Sequence, residues 1–146
     1  MTFKSNLINI VLVETSHPGN IGSVARAMKT MGLSELSLVN PRKFPSGEAN
    51  ALSGNATDVL ENARIFDSIE GAIKDSTFVY ATSSRSRTIQ WPTVHAEEGA
   101  SLINNQVSSN KKVSILFGRE DRGLTNEELQ LANTHIEIPA NPEYPV

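Results

Sequence analysis

The sequence of 146 residues lacks cysteine, has only three histidines and contains no apolar run long enough to cross a bilayer. Without cysteine there is no disulfide, thiolate nucleophile, zinc ribbon or iron–sulfur cluster. His17, His95 and His135 have no metal-ligand spacing, so we predict no metal site and expect these histidines in loops or on the surface. No basic leader precedes an apolar stretch, which favours a cytoplasmic protein without a membrane segment.

Excess basic charge is also missing. The chain has 13 Lys and Arg against 16 Asp and Glu, a formal net charge of −3, so a nucleic-acid partner would need a local basic patch. The length and the 38% hydrophobic content are those of one globular domain, which we predict to span residues 1–146.

Short apolar runs alternate with amphipathic segments along the chain. The first run, 7–13, is almost continuously apolar, as expected of a central strand covered on both faces. Asn20 is predicted to cap a helix over 21–31 that Gly32 ends. Its packed face is predicted to comprise Ile21, Val24, Ala25, Met28 and Met31. Further strands are predicted at 36–39, 65–66, 77–82, 112–117 and 135–138, and further helices at 48–52, 56–62, 69–74, 96–107 and 126–132.

This alternation predicts an α/β fold, with a mainly parallel sheet, right-handed crossovers and helices on both faces. Loops at the carboxyl ends of parallel strands meet at one edge, where open α/β sheets bind ligands. We therefore expect four loops to converge on one crevice, and they are poor in His, Cys and Lys, which favours binding and positioning over covalent catalysis. The four loops are 14–20, 82–87, 118–124 and 139–144.

The loop 118–124 is the most charged of the four and is bracketed by glycines. Thr125, with Glu127 and Glu128 behind it, is predicted to cap the following helix. Glu120 by itself fits a surface ion pair with a neighbouring arginine. A single arginine is usually solvated, but five of them at strand and helix ends favour phosphate binding. These are Arg26, Arg85, Arg87, Arg119 and Arg122.

Two other features leave alternatives open. The segment 17–22 lies between a strand and a helix but is neither a dinucleotide fingerprint nor a P-loop. Gly19 and Gly22 therefore serve either tight helix packing or anion binding at a helix N-terminus. Trp91 could stack on a base, although a half-buried structural aromatic is the simpler role.

Three segments taken in order, 20–28, 117–124 and 138–140, resemble the first, second and beginning of the third motif of the SPOUT RNA methyltransferases. The continuations 27–32, 82–85 and 139–144 resemble the members that methylate the ribose 2′-oxygen of the first tRNA anticodon-loop nucleotide, a cytidine or uridine. The resemblance implies a Rossmann-like sheet with a C-terminal trefoil knot. It also implies a homodimer that uses S-adenosyl-L-methionine and acts on tRNA without a metal.

The resemblance also implies roles for individual residues. The catalytic set would be Arg26, Asn20 and Glu120, with Glu120 ordering the motif loop. RNA would be contacted by Arg26, Arg85, Arg87 and Arg122, with Arg85 and Arg87 meeting RNA phosphates from the partner subunit. The cofactor would be held by Thr82, Ser83, Gly118, Gly123, Ile138 and Pro139.

The end of the chain departs from this pattern. In the family the third motif continues into a helix that completes the knot and the cofactor pocket, whereas this sequence stops shortly after Tyr144. We expect an incomplete knot and weak or absent cofactor binding by these 146 residues alone.

The implied reaction, methyl transfer to RNA, has two chemical requirements. Methyl transfer to a ribose hydroxyl is an in-line displacement that needs alignment and the loss of one proton. A guanidinium stays protonated at ordinary pH, so Arg26 is expected to stabilise the developing alkoxide while a phosphate or water takes the proton.

The alternative functions are a noncatalytic Rossmann-like RNA- or nucleotide-binding module, or methylation of another tRNA or rRNA site. A nucleotide-dependent oxidoreductase is disfavoured by the missing fingerprint.

Overall fold

Strands and helices alternate through the described part of the chain, residues 4–84 and 91–139 of a computed structural model. A single 3-10 turn, Ser5–Leu7, precedes the first strand. The strands are β1 (Ile8–Val13), β2 (Glu35–Val39), β3 (Arg64–Phe66), β4 (Phe78–Ser83), β5 (Thr93–His95), β6 (Val113–Phe117) and β7 (Thr134–Glu137). The α-helices are α1 (Pro18–Thr30), α2 (Gly47–Leu52), α3 (Thr57–Glu61), α4 (Ile69–Ile73), α5 (Ala96–Ser108) and α6 (Asn126–Leu129).

The strands form one seven-stranded sheet in the order β3-β2-β1-β6-β4-β7-β5. Every recorded pairing is parallel, which confirms the α/β prediction. The central strand β1 is buried along its whole length, as its nearly continuous apolar sequence requires. Edge strand β5 was not predicted, since three residues with exposed Thr93 and His95 give no periodic signal.

Alternate residues of β1, β2, β4 and β6 enter two hydrophobic clusters, one on each face of the sheet. Ile10 and Leu12 of β1 pack into the first cluster with helices α1, α2, α3 and α5. Val11 and Val13 pack into the second with α4 and α6. Helices therefore cover both faces, as the alternating pattern predicts.

Helix α1 begins three residues earlier than the sequence indicates. His17 is its N-cap and Pro18 its first residue, a position where the missing proline N–H costs nothing. The prediction that Asn20 caps this helix is wrong, because Asn20 lies inside the first turn and is exposed. Met31 was assigned to the packed face, but 71% of its surface is exposed because the helix has already ended at Thr30.

The capping box predicted for α6 is present. The Thr125 hydroxyl accepts from the Glu128 N–H at 3.1 Å, and the Glu128 carboxylate accepts from the Thr125 N–H at 2.7 Å. The helix itself ends at Leu129 rather than at residue 132.

The expectation of a surface position is wrong for His135, which lies in β7 with only 6% of its surface exposed.

A buried polar contact links the three central strands. The Asn9 side chain of β1 accepts from the Ser37 hydroxyl of β2 at 2.7 Å and donates to the Ser114 hydroxyl of β6 at 3.0 Å. The Asn9 side chain also donates to the Ala72 carbonyl at 3.2 Å, so this polar contact connects three neighbouring strands and helix α4. Because each of these buried groups has a partner, the polar row adds register specificity to an otherwise apolar layer.

Strand order decides which loops meet. Strands β1, β6, β4 and β7 are consecutive neighbours, and all four end at the same edge of the sheet. The loops predicted to converge are the continuations of these four strands, so their described parts lie side by side.

Among the described helices, none has the length and apolarity needed to cross a membrane.

Replacing Gly22 by alanine tests the close contact between α1 and α2. A Cβ at position 22 would lie 2.1 Å from the Ala49 carbonyl oxygen, so helix packing explains this glycine. We expect Gly22→Ala to lower the free energy of unfolding by about 1–3 kcal/mol, because the two helix backbones must separate. Gly47→Ala is the matched control, since no atom lies within 4 Å of its added Cβ. Urea unfolding that gives both variants the same stability would contradict this packing.

Candidate functional site

The Glu120 carboxylate joins the two glycine-containing loops at the sheet edge. It accepts hydrogen bonds from the Ser16 N–H at 3.1 Å, the Ser16 hydroxyl at 3.0 Å and the His17 N–H at 2.9 Å. Ser16 and His17 immediately precede α1, so the β6–α6 loop fixes the start of that helix. A surface ion pair is therefore not what Glu120 forms: its partners are neutral donors more than 100 residues away along the chain.

These hydrogen bonds act on the acidity of Glu120. Burial by itself raises the pKa of this carboxyl group, but the donors outweigh it, with the His17 N–H contributing most among the partner residues. The net shift of the Glu120 pKa is downward. The carboxylate is thus stabilised in its charged form, as expected for an anion at a cluster of backbone N–H groups.

The loop that carries Glu120 folds back on itself between two glycines. The Gly123 N–H donates to the Arg119 carbonyl at 2.7 Å, and these two residues form an isolated antiparallel bridge. Gly123 has a φ of +69°, and a Cβ on Gly118 would lie 2.3 Å from the Gly123 carbonyl carbon. Only glycine fits at position 118, so both glycines shape the loop that presents Glu120.

Arg122 is held inside this loop region by acidic partners. Its guanidinium lies 3.6 Å from the Glu14 carboxylate and 3.3 Å from the Glu128 carboxylate, and it donates to the Gly123 carbonyl at 3.1 Å. Arg122 therefore bridges the β1–α1 loop and the capping box of α6. The predicted contact of Arg122 with RNA stays a prediction. In the structure Arg122 is a second connection, besides Glu120, between the β1–α1 loop and the β6–α6 loop.

A cavity of about 520 Å³ opens beside this junction. Asn20, Gly118 and Glu120 lie on its wall, so the structure brings these three predicted site residues together. The rest of the wall is mainly apolar and includes the end of α1. It consists of Ile10, Leu12, Thr15, Ser23, Val24, Ala27, Met28, Met31, Leu33 and Phe117.

Arg26 lies on the same helix as Asn20 but faces elsewhere. It is exposed, it is not among the residues lining the cavity, and its side chain runs beside Gly54. It forms no ion pair with any residue in 4–84 or 91–139. Its charge is thus available to a partner, whereas that of Arg122 is neutralised within the protein.

Four of the six residues predicted to hold a cofactor, Thr82, Ser83, Ile138 and Pro139, lie at the ends of β4 and β7, and the two glycines follow β6. The Thr82 hydroxyl donates to the Leu116 carbonyl of β6 at 2.9 Å, and the Ile138 N–H donates to the Ser83 carbonyl at 2.8 Å. Thr82, Ser83 and Ile138 are therefore neighbours, and Ile138 exposes 43% of its apolar surface beside Pro139. Arg85, Arg87 and residues 140–144 lie outside the described residues.

Trp91 has the structural role that was the simpler prediction. It is half-buried, its indole N–H donates to the Ala132 carbonyl at 2.8 Å, and its ring stacks on His135 at 5.7 Å between centroids.

Within 4–84 and 91–139, no cluster of three or more His, Asp or Glu side chains could hold a metal ion.

Sequence reasoning missed the partners of the motif residues. Nothing in the pattern singled out Ser16 as the hydrogen-bond donor to Glu120, or Glu14 as the partner of Arg122, because both contacts span more than 100 positions. The one available signal was a pair of polar residues directly after a buried strand, which is where site residues of parallel sheets occur.

Removing the charge of Glu120 should destabilise the loop junction. We expect Glu120→Gln to lower the free energy of unfolding at pH 7 by about 1–2 kcal/mol, because charge-assisted hydrogen bonds to Ser16 and His17 are weakened. Asp121→Asn is the matched control: Asp121 is exposed and forms only a surface ion pair with Arg119, so its loss should cost under about 0.5 kcal/mol.

The pH dependence follows from the lowered pKa of Glu120. Its stabilising contribution is complete above the pKa of an exposed glutamate, about 4.3, and is lost as the pH falls through the lower native value. Urea unfolding from pH 7 to pH 3 should therefore show the difference between wild type and Glu120→Gln shrinking at the acidic end. A difference that stays constant over this range would contradict the assignment.

Known proteins show the same fold and similar sequence. Residues 7–146 match the SpoU rRNA Methylase family. Over 137 residues the chain is 50% identical to the tRNA (cytidine/uridine/adenosine-2′-O-)-methyltransferase TrmJ of Pseudomonas aeruginosa, a match covering 94% of this chain and 53% of that protein. The chain thus spans about half the length of this curated relative.

Solved structures agree with the sequence match. TrmJ from Z. mobilis has a TM-score of 0.88 at 39% identity, covering 94% of this chain and 60% of that one. The SpoU methyltransferase AviRb from Streptomyces viridochromogenes, in complex with AdoMet, shares the fold with a TM-score of 0.69 at 16% identity, covering 94% and 52%. Residues 7–146 match this family in sequence, and the parallel sheet joins the motif loops as described above. The chain therefore belongs to the SpoU rRNA methylase family.

Proposed function

We propose that the protein transfers a methyl group from S-adenosyl-L-methionine to a ribose 2′-oxygen of tRNA, at the first nucleotide of the anticodon loop. The observation that carries the proposal is the Glu120 junction, which fixes the start of helix α1, and so the helix bearing Arg26, to the loop 118–124. The identity to TrmJ proteins supports tRNA as the substrate. Residues 1–146 would be the methyltransferase domain.

The residues at the ends of β4, β6 and β7 fit the chemistry of this cofactor. Thr82 and Ser83 offer oxygens, Ile138 offers exposed apolar surface for an adenine ring, and Gly118 offers backbone groups unobstructed by a side chain. None of the six predicted cofactor residues carries positive charge, so a cationic sulfonium would meet no like charge from them. When bound, the cofactor would supply an electrophilic methyl group.

Arg26 would act on the receiving oxygen. As the ribose hydroxyl loses its proton it develops negative charge. A guanidinium with no ion-pair partner among residues 4–84 and 91–139 would stabilise that charge without itself transferring a proton. A phosphate of the RNA or a water molecule would take the proton. Because Arg26 lies in the middle of α1, its position depends on Glu120 holding the first turn of that helix.

Further parts of the family pattern belong to the same proposal. The chain after β7 would enter a trefoil knot, two copies would form a homodimer, and Arg85 and Arg87 would contact phosphates of the tRNA. A cytoplasmic location remains a prediction of the same kind. Sedimentation or light scattering of the natural protein would measure its oligomeric state directly.

The function itself can be tested on the natural protein. Ribose methylation should be mapped in total tRNA from the source organism and from a strain lacking the gene. Loss of one 2′-O-methyl group at the first anticodon-loop nucleotide, restored by purified protein with S-adenosyl-L-methionine, is the expected result. RNA binding without methyl incorporation would instead indicate the noncatalytic binding module.

Substituting Arg26 by lysine separates the geometry of a guanidinium from its charge. We expect Arg26→Lys to lower kcat by about ten- to a hundredfold at every pH from 6 to 9, because lysine stays charged there but lacks the planar fork. Lys29→Arg on the same helix is the control, since Lys29 is exposed and paired with Asp58. Full activity of Arg26→Lys with only a shifted pH optimum would contradict a guanidinium-specific role.

A further inference from the structure

A second recess lies beside the site at the same edge of the sheet, after strands β2 and β3. It has a volume of about 630 Å³ and is lined by apolar and polar groups in similar measure. We call it the β2–β3 platform. It is defined by Asn40, Pro41, Phe44, Ile65, Phe66 and Asp67.

The platform is attached directly to the loop that Glu120 holds. The Arg42 N–H donates to the Thr15 carbonyl at 3.2 Å, and the Glu14 N–H donates to the Val39 carbonyl at 2.8 Å. Thr15 is the residue before Ser16, the main partner of Glu120. Any ligand on the platform would therefore be positioned relative to the start of α1.

The platform includes partly exposed apolar side chains of edge strand β3 and of the loop after β2. Ile65 exposes 56% of its surface, and Phe44 and Phe66 are half-buried. The Arg64 guanidinium lies 5.9 Å from the centre of the Phe66 ring. Arg64 is also paired with Glu35 at 3.8 Å, so the surface open to a base is the exposed Ile65 with the accessible parts of the two rings. Aromatic side chains are surfaces on which single-stranded nucleic acids stack their bases.

Polar groups stand at the rim of this surface. The Asn40 amide nitrogen donates to the Asp67 carbonyl at 3.1 Å, and the exposed Asn40 side chain also carries an acceptor oxygen. The Asp67 side chain is exposed. Both are acceptors suited to the amino groups on a base edge.

Two cations flank the platform on the loop after β2. Arg42 and Lys43 are exposed, and neither forms an ion pair with a residue of the described ranges. Lys43 has a φ of +48°, a left-handed conformation that residues other than glycine adopt uncommonly and that clusters at functional sites. In a chain with a net charge of −3, such a pair supplies the local basic patch that RNA binding requires.

We propose that the β2–β3 platform binds an unstacked base of the RNA substrate while Arg42 and Lys43 contact the phosphates on either side of it. The inference rests on the proposed function, because it takes the substrate to be a single-stranded tRNA loop. Proteins read such loops by splaying bases out and packing side chains against them, because the deep, narrow major groove of an RNA double helix cannot be read by side chains.

Removing the two flanking charges tests the phosphate contacts. In the natural protein we expect Arg42→Gln/Lys43→Gln to weaken binding of total tRNA from the gene-deletion strain by about five- to tenfold and to raise KM similarly, with kcat unchanged. The slope of log Kd against log salt concentration should fall by about 2. Lys74→Gln/Lys111→Gln removes the same charge from exposed positions at the opposite edge of the sheet and should change neither value. Equal effects of the two double variants would overturn the proposal.

Two substitutions of Ile65 test the base contact. Ile65→Glu and Ile65→Lys both replace exposed apolar surface by a charge, but the charges have opposite signs. If a base packs on Ile65, both variants weaken tRNA binding by about fivefold or more at an unchanged Tm. Weaker binding for glutamate with tighter binding for lysine would show electrostatics alone and overturn the base contact.

The outcomes also separate this inference from the proposed function. Methylation by the wild type with unaffected tRNA binding by the platform variants would refute the platform alone. Loss of tRNA binding in the platform variants of a protein that methylates nothing would refute the proposed function and leave the platform as an RNA-binding surface.

Discussion

The site depends on one carboxylate. Glu120, presented by a loop that only glycine at position 118 allows, binds the N–H groups of Ser16 and His17 and so sets where helix α1 begins. Arg122 adds a second link through Glu14. Two loops more than 100 residues apart in sequence are thereby connected, and the start of α1 is anchored to that connection.

Strand order explains why this unit lies among other site residues. The sheet places β6 between β1 and β4, so the loop bearing Glu120 lies between the start of α1 and the Thr82–Ser83 segment. Ile138 follows on the next strand, hydrogen-bonded to Ser83. The Thr82–Ser83 segment and Ile138 are thus separated by one loop from the charged residues that follow β1.

The positively charged side chains fall into two groups, those with an ion-pair partner and those without one in the described ranges. Arg122 and Lys29 are neutralised by carboxylates within the protein, whereas Arg26, Arg42 and Lys43 have no ion-pair partner in the described ranges. A net charge of −3 therefore does not argue against an RNA partner. What matters for phosphate binding is which cations remain unpaired at the sheet edge, and composition cannot reveal that.

The sequence by itself determined the α/β class, six of the seven strands, the capping box at Thr125 and the two glycine-containing motifs, because these follow from local periodicity and turn chemistry. Only the tertiary structure decided that Glu120 binds backbone N–H groups, that Arg122 is internally paired and that Met31 is exposed. Those outcomes depend on strand order and on where α1 begins and ends. Neither is encoded within a single local window of sequence, since both arise from contacts between distant segments.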